Sequence, residues 1–463
     1  MRLTYSGPAR MGMDRRAFLR VMGFGGGTAI LAACGRSTPP GVGAPVTIVF
    51  WTPGGGGDFC AQFDAIAKDF HKHYPSLRIG PTQCGAGAQE FTEVLLARIA
   101  AGNPPDATIL WTSPAALAAR GSLQPLDDLM QTAQYAQEEN WPPAVLASCR
   151  FQDKTYGLPV TAGSCGLWYN QEMFEQRGIP AGREDFPKTW DELRRLSKAF
   201  TFWKRDRLEI AGFVPWHTAE DLPIWSALNG SQLYDAANRR YALDAEPNVA
   251  MMTYAMEWLE QEYRGDFAKV MRSGNWEGRE TEGRQPAIMD QRQAMVLTFS
   301  WNIGTPAYTQ PMLRWDVARF PIGHGGHRAV AGYWPNWLVI PKGSRHVGQA
   351  FTWLDYLSGV GVKEWFHHFP DLPTNRQVPR DLLPVALVAA KGEVFARDIT
   401  NFFRAQLDAA TPMWESPVQD FATDQITRAL EHIMYKVAKP REALAEAQKA
   451  CQGALERALK TGA

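Results

Sequence analysis

Few residues in this 463-residue chain are spaced for covalent chemistry. Ala162-Gly163-Ser164-Cys165-Gly166 places a serine between glycines, but Ala162 stands where a hydrolase elbow needs its first glycine. His71 and His73 lack the i, i+4 spacing of a zinc-binding helix, and His324, His327, His367 and His368 read as surface residues rather than metal ligands. Paired carboxylates for hydrolysis cannot be singled out among 48 acidic residues. The glycine run Gly54–Gly57 ends in Asp58, not in the Lys-Ser/Thr of a phosphate loop. Non-covalent recognition remains. The chain has 17 tryptophans, and a broad indole face suits flat apolar ligands and interfaces. No cofactor and no metal is expected.

The elements that must position these residues alternate. Val46–Trp51 is a β-branched run that predicts a buried strand. The next segment has helical periodicity, with Phe63, Ile66, Ala67 and Phe70 on one face and Asp58 placed as N-cap. A short strand at Leu77–Gly80, a helix stopped by Gly102, a strand at Asp106–Trp111 and a helix from Ser113 follow. Further on, Asp153–Asn170 is a strand region interrupted by Gly157 and Pro159, and Thr189 with Glu192 forms a capping box. Ala294–Trp301 and Asn336–Ser344 predict strands, Val347–Gly359 a helix, and the chain after Asp420 is helical, with Pro440 at a helix start. This alternation defines an α/β protein with a mostly parallel sheet.

Composition narrows the setting. The 48 basic and 48 acidic residues balance, which gives no basic face for nucleic acid. Arg15-Arg16, a short glycine-interrupted apolar run and Leu31-Ala32-Ala33-Cys34 follow in the order of an export signal, too short for a membrane span. The start resembles a twin-arginine signal, and the end resembles a lipobox whose Cys34 becomes the lipidated mature N-terminus. Residues 1–34 are therefore read as the signal and 35–45 as a tether. Export to an oxidising compartment makes disulfides plausible. Four cysteines allow three pairings; the most local, Cys60 with Cys84 and Cys149 with Cys165, are expected, leaving Cys451 as a buried thiol.

Several segments occur together in order: "TIVFW" with its helix, "AAGNPPDATILW", "YGLPVTAGSCGLWYNQEMFEQRGI", "FPKTWDELRRLSKAF", "AMVLTFSW" and "VIPKGSRHVGQAFTWLDYLSG". The series resembles the extracellular solute-binding proteins of ABC importers, in the cluster that includes maltose-binding protein. The resemblance implies a two-lobed periplasmic-binding-protein fold with a ligand cleft between lobes joined by crossover strands. It places residues 46–160 and 302–349 in the first lobe, and 161–301 and 350–463 in the second. It implies a monomeric, membrane-anchored receptor, not an enzyme, that captures a carbohydrate or similar polyol and hands it to ABC permease subunits. A glycerophosphodiester receptor is the alternative within the class, and an exported carbohydrate-active enzyme is the rival outside it.

Ligands of open α/β sheets sit beyond the carboxyl ends of strands. That rule selects Gly56, Gly57 and Asp58 after the first strand and Trp111, Thr112 and Ser113 after a later one. The resemblance gives Trp111 and Trp301 sugar-facing roles, with Ser300 beside the latter. Trp216 and Trp225 fall where relatives place aromatic residues of the second lobe, and Tyr333 and Trp334 fall in a stretch that lines the cleft. Gly163 and Ser164 match a position just past the first crossover, where maltose-binding protein has a ligand-contacting carboxylate. Arg376 is a candidate contact for an acidic ligand group.

Overall fold

The structure, a computed structural model, describes residues 45–460 apart from 55–58, 86–87, 216–217, 282, 306, 328–329, 409–410 and 413–414. The export segment with Cys34, nearly all of the tether, Gly56, Gly57, Asp58 and Trp216 therefore lie outside the described residues.

The first apolar run forms two strands, β1 (Val46–Ile48) and β2 (Phe50–Thr52). Val49 breaks it, because its N–H is taken by the Asp106 carboxylate at 2.9 Å. Helix α1 (Phe59–His73) follows and buries Phe59, Phe63, Ile66, Ala67 and Phe70. Each large apolar side chain fully buried there contributes about 1.5–3 kcal/mol. Next come β3 (Leu77–Ile79), β4 (Gln83–Cys84) and α2 (Ala88–Ala100), which ends before Gly102 at φ 70°. Strand β5 (Ala107–Leu110) is wholly buried and leads into the one-turn helix α3 (Pro114–Ala118).

Strands β6 (Leu158–Gly163) and β7 (Cys165–Asn170) are separated by Ser164 alone and are buried throughout. Helix α4 (Trp190–Phe200) opens with the Thr189–Glu192 capping box, and α5 (Leu222–Leu228) is a short buried helix. Then come β8 (Met295–Phe299), β9 (Trp315–Ala318), β10 (Gly332–Val339), α6 (Val347–Tyr356), α7 (Val362–His368) and β11 (Leu372–Pro373). The chain closes with β12 (Thr411–Pro412), α8 (Gln419–Met434) and α9 (Pro440–Lys460). Among the described residues, no helix is long and apolar enough to cross a membrane.

Two sheets organise these elements. The larger runs β11-β6-β10-β5-β2-β4, with β12 beside β10. It is mixed: β2 pairs parallel with β4 and β5, whereas β10 runs antiparallel to β5 and β6. The smaller sheet is β8-β7-β9, antiparallel throughout. The chain leaves the first sheet at Gly163 and enters the second at Cys165, three or four residues later than the expected crossover.

The pairing and packing redraw the lobes. Trp315–Ala318, expected in the first lobe, pairs with β7 in the second sheet. Phe351, Trp353, Leu354 and Trp365, expected in the second lobe, pack instead with Phe50, Phe63 and Ile109 of the first. The last two helices do join the second core, through Ile426, Leu430, Leu444 and Cys451. Tryptophan is mainly core filler: Trp168, Trp190, Trp225, Trp258, Trp315 and Trp353 are at most 1% exposed.

Cys60 and Cys84 are disulfide-bonded, with Cα atoms 6.2 Å apart, and tie α1 to β4. The expected Cys149–Cys165 bridge is absent. Cys149 packs against Trp51, Leu110 and Trp337 in the first lobe, whereas Cys165 begins β7 in the second core. Burial raises both thiols well above their ordinary value, so neither supplies a thiolate. Non-reducing peptide mapping should find Cys60 joined to Cys84, and Cys149 and Cys165 alkylated only after unfolding. Loss of the bridge, which spans 24 positions, should destabilise the protein by about 3 kcal/mol in a denaturant melt.

Candidate functional site

The crossover between the sheets carries the first group of side chains. Ser164 and Ser300 bond reciprocally: the Ser300 N–H donates to the Ser164 carbonyl at 2.7 Å, and the Ser164 N–H donates to Ser300 Oγ at 3.0 Å. Both serines are fully buried. At the end of β8 the Phe299 and Trp301 rings stack, centroids 4.3 Å apart and 4° from parallel. Trp334 stands perpendicular to both, its centroid 4.9 Å from Phe299 and 6.3 Å from Trp301. The Trp301 ring also lies against Gly163, where a β-carbon would come within 2.1 Å of it. Glycine is thus required there by the ring. The resemblance matched this position to a carboxylate; here the indole fills that space.

Beside Phe299 lies a small open depression. Phe213, Val214, Trp276, Val296 and Phe299 supply apolar wall; Glu220, Asp221, Glu277 and Arg279 supply charge. Arg279 donates to Glu220 at 3.0 Å and to Glu277 at 3.4 Å, and the charge of Glu220 foremost raises the guanidinium's affinity for its proton. Asp221 accepts from the Thr218 hydroxyl at 2.7 Å. The lining thus carries three carboxylates and one guanidinium, a net negative charge.

A second group belongs to the first lobe. Trp111, half-buried past the end of β5, donates its indole N–H to Asn336 Oδ1 at 2.7 Å. Asn336 Nδ2 donates to Thr161 Oγ1 and to Asp371 Oδ2, both at 3.0 Å. Burial raises the Asp371 carboxyl to about 7, against the pull of the Asn336 and Trp365 side chains. Thr112 donates to Asp420 at 3.2 Å, and Arg120 donates to the Pro417 carbonyl at 3.5 Å; both contacts join the first lobe to the start of α8. Burial also raises Asp420 and takes Glu415 up to about 8.

The expected residues thus fall into two sets that the fold brings together: Gly163, Ser164, Ser300, Trp301 and Trp334 at the crossover, and Trp111 with Thr112 on the first lobe. Others lie elsewhere. Trp225 is a core residue on α5, with Trp190, Phe213 and Phe320 around its ring. Ser113 is 1% exposed and donates to the Ser148 carbonyl at 3.4 Å. Arg376 is exposed, and its guanidinium donates to the Glu139 carbonyl at 3.4 Å. Tyr333 pairs through its backbone with Pro412. Sequence reading missed Glu220, Asp221, Glu277, Arg279, Asn336, Asp371 and Glu415. A signal existed for one of them: Asn336 is the lone amide in the apolar run "YWPNWLVI".

Two α/β lobes, crossover strands and a polar-aromatic junction between them define a two-lobed periplasmic binding protein. Residues 57–364 match the family described as bacterial extracellular solute-binding protein, and the chain belongs to that family. It is 22% identical over 329 residues to the multiple sugar-binding protein of Streptococcus mutans, covering 68% of this chain and 71% of that one. Its fold is similar to that of a solved structure named CpMnBP1, with mannotriose bound, at TM-score 0.71, 20% identity and 88% and 99% coverage. It is also similar to the maltose/maltodextrin-binding domain from Bdellovibrio bacteriovorus bound to maltotriose, at TM-score 0.68, 16% identity and 89% and 100% coverage. The family is extracellular and its members bind solutes.

Gly163→Ala should push the Trp301 ring aside, which a shift in intrinsic fluorescence and a lower melting temperature would report. Asp371 and Glu415 make a separate prediction. Their folded-state pKa values lie above the ordinary carboxylate range, so the stability they contribute is full at acid pH and is lost as pH rises through about 7 and about 8. Asp371→Asn and Glu415→Gln should therefore raise the melting temperature relative to the parent more at about pH 9 than at about pH 5, measured by calorimetry.

Proposed function

We propose that the protein is the receptor of an ABC importer, that its ligand is a carbohydrate, and that Phe299, Trp301, Trp334 and Trp111 contact it. The observation that carries this reading is the aromatic cluster at the end of β8 beside a depression lined by carboxylates. Sugars present apolar C–H faces to aromatic rings and hydroxyl donors to carboxylates. The sugars in the names of the similar proteins support the same class. A glycerophosphodiester fits less well, because three carboxylates against one guanidinium would repel its phosphate. Ligand capture would draw the lobes together, and the closed form would dock on the permease. Export by the Arg15-Arg16 segment and anchoring through a lipidated Cys34 complete the proposal, with the receptor acting as a monomer and doing no chemistry.

A thermal-shift screen tests the ligand class. Maltotriose, mannotriose and glycerophosphocholine are the first probes, and a binder at 100 times its dissociation constant should add about 2.7 kcal/mol. Stabilisation by the phosphodiester alone would reverse the choice. With a binding sugar in hand, Trp301→Ala should weaken the dissociation constant roughly thirty-fold in calorimetric titration, the range of an aromatic hot spot. Because Phe299 covers one face of the ring, a drop in melting temperature should accompany that loss; normal binding with a lower melt would make Trp301 a core residue only. Cys34→Ala should move the protein from the membrane fraction to the soluble fraction or leave it unprocessed.

A further inference from the structure

The hydrogen-bond chain on the first-lobe wall has two ends that each play a single role. The Trp111 indole N–H can only donate, and an ionised Asp371 carboxylate can only accept. Between them, Asn336 turns its oxygen to the indole at 2.7 Å and its nitrogen to the carboxylate at 3.0 Å. The remaining amide hydrogen goes to Thr161 Oγ1, a hydroxyl that can take either role. One amide orientation satisfies both ends. The flipped amide would set N–H against N–H at the indole and oxygen against oxygen at the acid. Asn336 is 6% exposed and Asp371 3%, so water offers little compensation.

The chain also joins separate strands. Trp111 follows β5, Asn336 is on β10, Thr161 on β6, and Asp371 directly precedes β11. The register of β10 against β6 slips between Asn336 and Trp337, beside this amide. We propose that Asp371 is a positioning residue for ligand capture: it fixes the amide of Asn336, and that amide holds the Trp111 indole in place. The proposal rests on Trp111 as a ligand contact.

The hold on that orientation depends on the proton. The groups that face Asp371 are Asn336 on β10 and Trp365 on α7, with Thr161 on β6 reached through Asn336, and none of these three is charged. A protonated carboxyl can donate as well as accept, so the acid end no longer selects one amide orientation and only the indole end does. Below about pH 7 the acceptor of the indole is therefore held at one end instead of two.

Indole ¹⁵N–¹H spectra of the full chain test the relay without any ligand, with the Trp111 resonance assigned by its loss in Trp111→Phe. In the parent it should shift with a midpoint near 7. In Asp371→Asn it should be insensitive to pH, and in Asn336→Leu it should be displaced at every pH. A resonance indifferent to pH and to both substitutions overturns the proposal, and the parent titration decides even if a variant fails to fold. Maltotriose and mannotriose serve as probes in a second arm. There Asp371→Asn should weaken binding by up to about tenfold at about pH 8, the scale of one hydrogen bond, and less at about pH 5. Equal affinities of parent and variant at both pH values count against Asp371 as a positioning residue. If the parent binds neither sugar while the resonance still titrates, the carbohydrate reading fails and the relay from Asp371 to Trp111 stands.

Discussion

The changeover at Ser164 governs the rest of the molecule. A strand that leaves one sheet and enters another has a residue whose backbone groups belong to neither ladder, and here that residue is completely buried. An unpaired backbone N–H or carbonyl in such a place would cost as much as a lost hydrogen bond. Ser300 takes both groups, through its own N–H and its hydroxyl. This obligation brings the end of β8 to the end of β6, and with it Phe299 and Trp301 to Gly163. The aromatic cluster is therefore a consequence of how the crossover satisfies its backbone, and the missing side chain of residue 163 is the space that lets the indole in.

The protein keeps several groups in states that do not favour its own stability. Asp371 and Glu415 are buried acids whose charged forms are penalised by desolvation. The Glu220–Arg279–Glu277 group sits at an open depression instead of being sealed in the core. Violations of local rules concentrate at functional sites, while the flanking helices and strands obey them.

The regular elements were legible because their signals are local. The apolar face of α1, the capping box of α4, the glycine stop after α2 and the proline start of α9 are written within a few residues of where they act. The lobe boundaries were harder. Nothing near Trp315–Ala318 announces that it pairs with β7, and the amphipathic pattern of α6 does not say which core it enters. Those facts depend on which sheet offers an unpaired edge or an uncovered face. The Cys149–Cys165 expectation failed for the same reason: sixteen positions of separation span the division between two cores. Among the candidate contacts, Trp301 and Trp111 were selected because they follow strands. Asp371 and Glu220 were not, because one acid among 48 has no distinguishing mark until its neighbours are known.

The interleaving of the lobes has a consequence for how the chain is made. The first core needs Trp353 and Trp365, and the second needs Ile426 through Leu455. The first core therefore cannot close before Trp365 is made, nor the second before Leu455, although domains often fold in order from the N-terminus during synthesis. Long-range pairing of this kind also delays spontaneous collapse to the native topology. Until Trp365 is made, the apolar faces of α1, β5 and β6 lack part of their cover. That interval is when a holding chaperone has something to grip, and it ends earlier for the first lobe than for the second.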